Sequence, residues 1–153
     1  MKLAEALVER KAAQTKISEI NTRLQRIAII QEGEKAAEDP ASLLIELEEI
    51  AKKLETLINA INNTNIVSKL SNGQTITSAI AQRDVLRMKT GVIDSLINTL
   101  GNTYHFRTRG SEIKFIPTID VNDLQKEKDI LAKQYREIDT VIQAANWSFD
   151  LIE

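Results

Sequence analysis

The sequence predicts a mainly α protein: an antiparallel helical bundle or coiled coil of about four long helices, with a small β-hairpin inserted before the last one. Three observations carry that prediction. Long stretches repeat apolar residues in alternating steps of three and four, the 3.5-residue period that lays one stripe along a helix. The chain has only six aromatic residues, all between Tyr104 and Phe149, so the first hundred residues must build their interior from Leu, Ile, Val and Ala. Between Gly101 and Asp120 the apolar period shortens to strict alternation, the pattern of strands.

The first helix, at about 3–30, carries Leu3, Ala6, Ala13, Ile17, Ile20, Leu24 and Ile27 in its seam. Arg10 is the polar intruder, and Leu7 and Ile30 widen the stripe as a bundle requires. Gly33 marks the end of this helix. Asp39-Pro40 opens the next: the Asp side chain caps free N–H groups, and proline loses nothing at the first helical position. Leu43, Leu47, Ile50, Leu54, Leu57 and Ile61 follow as an unbroken seam, with charged residues on the other faces. The short link predicts that the two helices run antiparallel. The stretch INNTN (61–65) reads as a helix end, because Asn tolerates left-handed backbone angles and bonds to local backbone groups.

Asn72-Gly73 is a turn signal, and Thr75 or Thr77 caps a third helix at about 76–101. Its seam is Ile76, Ala79, Arg83, Leu86, Thr90, Ile93, Ile97 and Leu100. Arg83 stands out there, with Asp84 beside it. Neighbouring helical positions diverge by about 100°, so a good direct pair is not expected, and each charge needs a partner elsewhere. Tyr104, Phe106 and Thr108 alternate with His105, Arg107 and Arg109, and Ile113 and Phe115 flank Lys114. This is the hairpin, at about 103–118, with Pro117 ending its second strand. Asp120 caps the last helix, with Asp123 in its first turn. Its seam runs Leu124, Lys128, Leu131, Tyr135, Ile138, Ile142 and Ala145, ending near Asn146-Trp147. The whole chain, 1–153, reads as one helical-bundle domain.

Composition narrows the function. A net charge of −2 gives no basic surface for phosphates, so nucleic acid is not an expected partner. No apolar run is long enough to span a bilayer, and the N-terminal stretch meets charge too early for a signal peptide. A cytoplasmic protein without membrane partners is expected. There is no cysteine, His105 is the one histidine, and the glycines are scattered without a phosphate-loop pattern. Glu32, Glu34, Glu38 and Asp39 lack the ligand spacing of a calcium loop. No metal, cofactor or catalytic residue is therefore assigned, and enzyme activity stays undecided. The sequons at Asn62 and Asn146 read as chance matches.

Two constellations remain. Asn62, Asn65, Arg83 and Asp84 are a candidate polar site: a network that sets register or oligomeric state, or alternatively a site for a small ligand or a reaction. The aromatic and basic hairpin residues Tyr104, Phe106, Arg107, Arg109 and Phe115 are a candidate interface. Residues 32–49 carry seven acidic side chains against Lys35, and are expected to meet the basic stretch 105–114 within or between subunits.

The motifs QEGE (31–34), EDP (38–40), INNTN, AQRD (81–84), SEIKF (111–115), DVNDLQ (120–125) and IQAANW (142–147) occur in this order. Together they resemble a family of small bacterial helical proteins of unknown function, some labelled septicolysin. The resemblance spans essentially the whole chain and implies a symmetric homo-oligomer, with a hexamer as its form. It adds Thr64 to the polar site and Glu112, Gln125, Asn146 and Trp147 to the interface. The label implies membrane damage, but the sequence has no export signal or strongly amphipathic basic segment, and only one tryptophan. The leading expectation is a non-enzymatic cytoplasmic homo-oligomer. A ligand-binding or enzymatic protein comes second and a membrane-damaging one third.

Overall fold

A computed structural model describes residues 1–102 and 115–152 of the chain. They form four helices, α1 (Leu3–Ile27), α2 (Pro40–Val67), α3 (Ile76–Asn102) and α4 (Val121–Ser148). Two compact units divide them: Met1–Lys69 with Ala145–Glu153, and Leu70–Ala144.

In the first unit α1 lies antiparallel to α2. Glu9 pairs with Lys53 at 2.9 Å, Lys16 with Glu46 at 3.2 Å, and Arg23 with Glu38 just before α2, so partner numbers fall as they rise along α1. Between the helices Ile20 and Ile27 pack on Leu43, with Leu24, Leu47 and Ile50 against them. Full burial of a side chain such as Ile20 contributes about 2–3 kcal/mol. Helix α1 stops at Ile27, short of the expected position 30. Beyond it the connecting segment turns back, and Ala36 packs on the same cluster. The reversal uses Gly33 at φ +89, and Ile29 is left 89% exposed.

Asp39 caps α2 as expected, accepting from the Ala41 and Ser42 N–H groups at 3.2 Å each and from the Ser42 hydroxyl at 2.7 Å. The Ser42 hydroxyl bond, then the two backbone bonds, hold the Asp39 carboxyl below its ordinary range. Glu38, just before the cap, is half-buried and paired. Its carboxylate accepts from Arg23, and this hydrogen bond, with the charge behind it, depresses its pKa. Arg23 Nη1 also lies 3.6 Å from Glu46, so acidic residues of 32–49 find cations on α1.

The helix-end reading of INNTN is corrected. Helix α2 runs through it to Val67, and closes with the Ser68 N–H donating to Thr64 O at 2.9 Å. The seam does not end at Ile61: its next three–four steps are Thr64 and Ser68, both buried. Thr64 is wholly buried, and its hydroxyl donates to Ala60 O at 2.8 Å while accepting from the Ile152 N–H at 2.9 Å. A buried hydroxyl so satisfied suits a helix interior, and the asparagines around it face outward or lie half-buried. The chain ends meet in the same unit. The Leu3 N–H donates to Phe149 O at 3.0 Å, the Leu151 N–H to Met1 O at 2.9 Å, and Lys2 Nζ lies 2.9 Å from Asp150. One polar group is left over: the buried Arg10 Nε has no hydrogen-bond partner among the described residues.

In the second unit, Asn72-Gly73 is a turn, with Gly73 at φ +84. Thr75 Oγ1 caps α3 by accepting from the Ser78 N–H at 3.2 Å, and Asp120 Oδ1 caps α4 by accepting from the Asn122 N–H at 2.7 Å. Ala79 and Leu86 of α3 and Leu124, Leu131 and Ile142 of α4 are buried, the faces their seams predict.

The fold class is mainly α as expected, but the β-hairpin is corrected. The described residues hold four helices and no strand or sheet. Helix α3 continues to Asn102, and residues 115–118, assigned to the second strand, are irregular. Phe115 is 52% and Ile116 76% exposed, so this segment has no buried face to alternate against an exposed one. The expected strand residues at 103–114, Tyr104, Phe106, Arg107, Arg109 and Glu112 among them, lie outside the described residues.

Replacing Thr64 by valine keeps the shape but leaves the Ile152 N–H without its acceptor. A loss of about 1–2 kcal/mol is expected, with faster hydrogen exchange at Ile152. Thr64→Ser keeps that amide protected, and equal exchange in all three proteins would refute the clasp. Because Glu38 and Asp39 have lowered folded pKa values, their stabilisation is present above the ordinary carboxylate range and lost as pH falls through it. Urea midpoints between about pH 6 and pH 3 should therefore drop less in Glu38→Gln than in the unaltered chain.

Candidate functional site

The seams of α3 and α4 each include residues that do not belong in an apolar interior. Arg83 is a seam position of α3, and its side chain is 20% exposed. Its Nε and Nη2 both donate to Asp84 Oδ1, at 3.1 and 3.0 Å, and Nη1 donates to Asp139 Oδ1 on α4 at 3.3 Å. The direct Arg83–Asp84 pair runs against expectation. A long guanidinium folds back across the divergence that separates neighbouring positions, while its third nitrogen still reaches α4.

Two further pairs follow the same geometry. Arg87 Nη2 donates to Tyr135 Oη at 3.2 Å, with the guanidinium carbon 5.8 Å from the ring centroid. Lys128 Nζ lies 2.6 Å from Asp94. Along α3 the partners are 83, 87 and 94; along α4 they are 139, 135 and 128, falling by the same steps. This is the numbering of one antiparallel register. Tyr135 and Lys128 are seam positions of α4, so each polar intruder meets a residue flanking the opposite seam.

Burial disfavours the Arg83 charge, and the hydrogen bonds and charges of Asp84 and then Asp139 outweigh it, so its pKa lies above the ordinary value. A guanidinium held this way has no proton to give near neutrality. Both acidic partners are engaged with it, so the cluster is suited to fixing geometry rather than to general acid–base chemistry. Among the described residues no group of three acidic or histidine side chains converges as metal ligands would.

The other sequence-selected residues are placed as follows. Asn62, Thr64 and Asn65 belong to the first unit, and Arg83 and Asp84 to the second. Asn62 is exposed, Asn65 half-buried, and Thr64 is the clasp. Gln125 is exposed and donates to Asp129 at 3.3 Å, Asn146 is buried in the first unit, and Trp147 is 61% exposed. Sequence reasoning missed Asp94, Arg87 and Asp139. Aligning the two seams antiparallel and asking which flanking charge faces each intruder would have found them.

Each unit also holds a hollow. That of the first, about 540 Å³, is mostly apolar, with Leu57, Ala60 and Leu151 beside Asn59 and Asn63. That of the second, about 350 Å³, lies between Asn72 and Gln74 of the turn, Gln82 of α3 and Gln134 and Glu137 of α4, over Leu70, Ile138 and Val141.

Asp139→Leu takes away the less exposed of the two carboxylates on Arg83, and a loss of about 1–2 kcal/mol is expected in urea unfolding. Asp84→Leu, at a more exposed position, should lose under about 1 kcal/mol. The reverse order would contradict the assignment of Asp139 as the cross-helix anchor.

A profile described as a family of unknown function, DUF6847, matches residues 10–151. The crystal structure of a functionally unknown conserved protein from Corynebacterium diphtheriae matches with a TM-score of 0.91 and 39% identity, over 99% of each chain. The curated proteins give no match. Neither description names a lytic activity, and no helix among the described residues is long and apolar enough to cross a membrane.

Proposed function

The chain belongs to this family of unknown function, DUF6847, and from that premise we propose that it is a non-enzymatic cytoplasmic interaction protein that assembles with further copies of itself through the outer face of α3. One observation carries this reading. Ala81, Val85, Met88 and Val92 repeat in steps of four, three and four, two positions on from the buried seam, and so lie on about the opposite side of the helix. Val85, Met88 and Val92 are 51%, 70% and 60% exposed. A helix with a second apolar stripe pointing outward is built to be covered.

Gly91 supports a second copy as its cover. It sits inside α3, where glycine is roughly 0.5–1 kcal/mol worse than alanine, yet a Cβ there would touch nothing among the described residues. No packing among the described residues requires the glycine, whereas close approach of a second helix would. Met88, one turn earlier on the same side, is a protruding side chain. In an antiparallel two-fold pairing of α3 with α3, Met88 of each copy falls at Gly91 of the other, so one surface supplies both knob and notch. Such self-complementarity is what an isologous contact needs. A hexamer, the form implied by the family resemblance, would join this contact with a second one. A chain without cysteine needs no oxidising compartment, which suits the cytoplasm.

Light scattering on a sizing column at about 100 μM, where a micromolar dimer is saturated, should give a multiple of 17.2 kDa. Met88→Glu should lower that multiple. Gly91→Leu should do the same without lowering the unfolding midpoint, since an added Cβ meets nothing among the described residues. A monomeric mass for the unaltered protein, or an unchanged mass in both variants, would refute the proposal.

A further inference from the structure

The hollow in the second unit has a wall unlike either helix seam. Its polar lining is carboxamide: Asn72 and Gln74 from the turn, Gln82 from α3, Gln134 from α4. The side-chain amides of Gln74, Gln82 and Gln134 make no hydrogen bond among the described residues. Asn72 engages only its Oδ1, which accepts from the Gln74 N–H at 3.1 Å. Each amide thus keeps two N–H donors facing solvent, and three of them also keep a carbonyl acceptor. Glu137 adds a carboxylate, 3.9 Å from Lys133 Nζ, and no cationic side chain among the described residues lines the hollow. Leu70, Ile138 and Val141 form the apolar part of the lining.

The backbone that carries these groups is fixed before any ligand arrives. The Leu70 N–H donates to Gln74 O and the Gly73 N–H to Leu70 O, both at 2.9 Å, which fixes the turn that presents two of the amides. The other two stand on α3 and α4, whose register the Arg83–Asp139, Arg87–Tyr135 and Asp94–Lys128 pairs set.

The chemistry selects a ligand class. A hydroxyl donates and accepts through the same oxygen, so adjacent hydroxyls match carboxamides that offer both functions side by side. An apolar lining suits the C–H face of a saturated ring. Phosphate and carboxylate ligands want arginine or lysine, which this wall lacks, and Glu137 repels them. The volume falls in the range of small-molecule sites, roughly 300–1,000 Å³. We propose that this hollow binds a small, neutral, polyhydroxylated ring, a monosaccharide or a cyclic polyol. The site is independent of the α3 assembly face and stands whether or not that face pairs.

The test is a titration of the full, nitrogen-15-labelled chain with D-glucose, D-galactose, D-ribose and myo-inositol, followed through side-chain amide resonances. At least one of the four should give saturable shifts at Gln82 and Gln134, while inorganic phosphate gives none. In Gln82→Leu/Gln134→Leu the affinity for that probe should fall by about tenfold or more, with the unfolding midpoint unchanged because both positions are exposed. Three results would each overturn the proposal: no saturation with any of the four probes, equal affinity in the double variant, or tighter binding of glucose 6-phosphate than of glucose.

Discussion

Arg83 occupies a position that the three–four spacing of α3 gives to the apolar interior, and the second unit is arranged so that this charge is answered. Asp84 takes two of its nitrogens and Asp139 a third. A one-turn slip of α4 along α3 would move Asp139, Tyr135 and Lys128 together out of reach of their partners. Apolar seams alone do not resist such a slip, because Leu and Ile at three–four spacing fit nearly as well one heptad along. Polar intruders do, since a slip would take Asp139 from Arg83, Arg87 from Tyr135 and Asp94 from Lys128 at once, leaving half-buried polar groups short of partners. The register of the pair is thus specified by the residues that weaken its hydrophobicity.

That register has consequences on the far side of each helix. Once Arg83 and Leu86 face α4, the rotation of α3 is fixed, and Val85, Met88, Gly91 and Val92 must face away. The same rotation, with the register of α4, sets Gln82 and Gln134 beside the turn at Asn72. Both the exposed apolar stripe of α3 and the carboxamide-lined hollow are by-products of one constraint. In the first unit the principle recurs in a milder form. Glu9, Lys16 and Arg23 pair in antiparallel order with Lys53 and Glu46 of α2 and with Glu38 just before it, and the seam closes on Thr64, a polar residue made acceptable by Ala60 and Ile152. Arg10 is the exception, with Nε buried and no partner among the described residues.

Much of the fold could be read from spacing and caps. The four helices, the Asp39, Thr75 and Asp120 caps, the Asn72-Gly73 turn and the buried faces all follow from local rules that tertiary packing did not overrule. The failures have specific causes. INNTN looked like an exit because asparagine is common at helix ends, but Thr64 continues the seam, and its acceptability depends on an N–H group 88 residues away in sequence. The strand pattern near Phe115 met no face to pack against in the residues described. The polar site was half legible. Arg83 and Asp84 could be picked out as misplaced charges, whereas Asp139 carries no local sign of its role. The amides of the hollow carry none either, since glutamine on a helix surface is ordinary, and only convergence from three elements gives them meaning.

Coupling between Arg83 and Asp139 holds α3 and α4 in register, and a double-mutant cycle measures it directly. Urea unfolding of the unaltered chain, Arg83→Met, Asp139→Leu and the double variant should give a coupling of about 1 kcal/mol or more, with the double variant losing clearly less than the two single losses combined. Additivity within about 0.3 kcal/mol would contradict the account, because the two groups would then be neighbours that do not hold the helices in register.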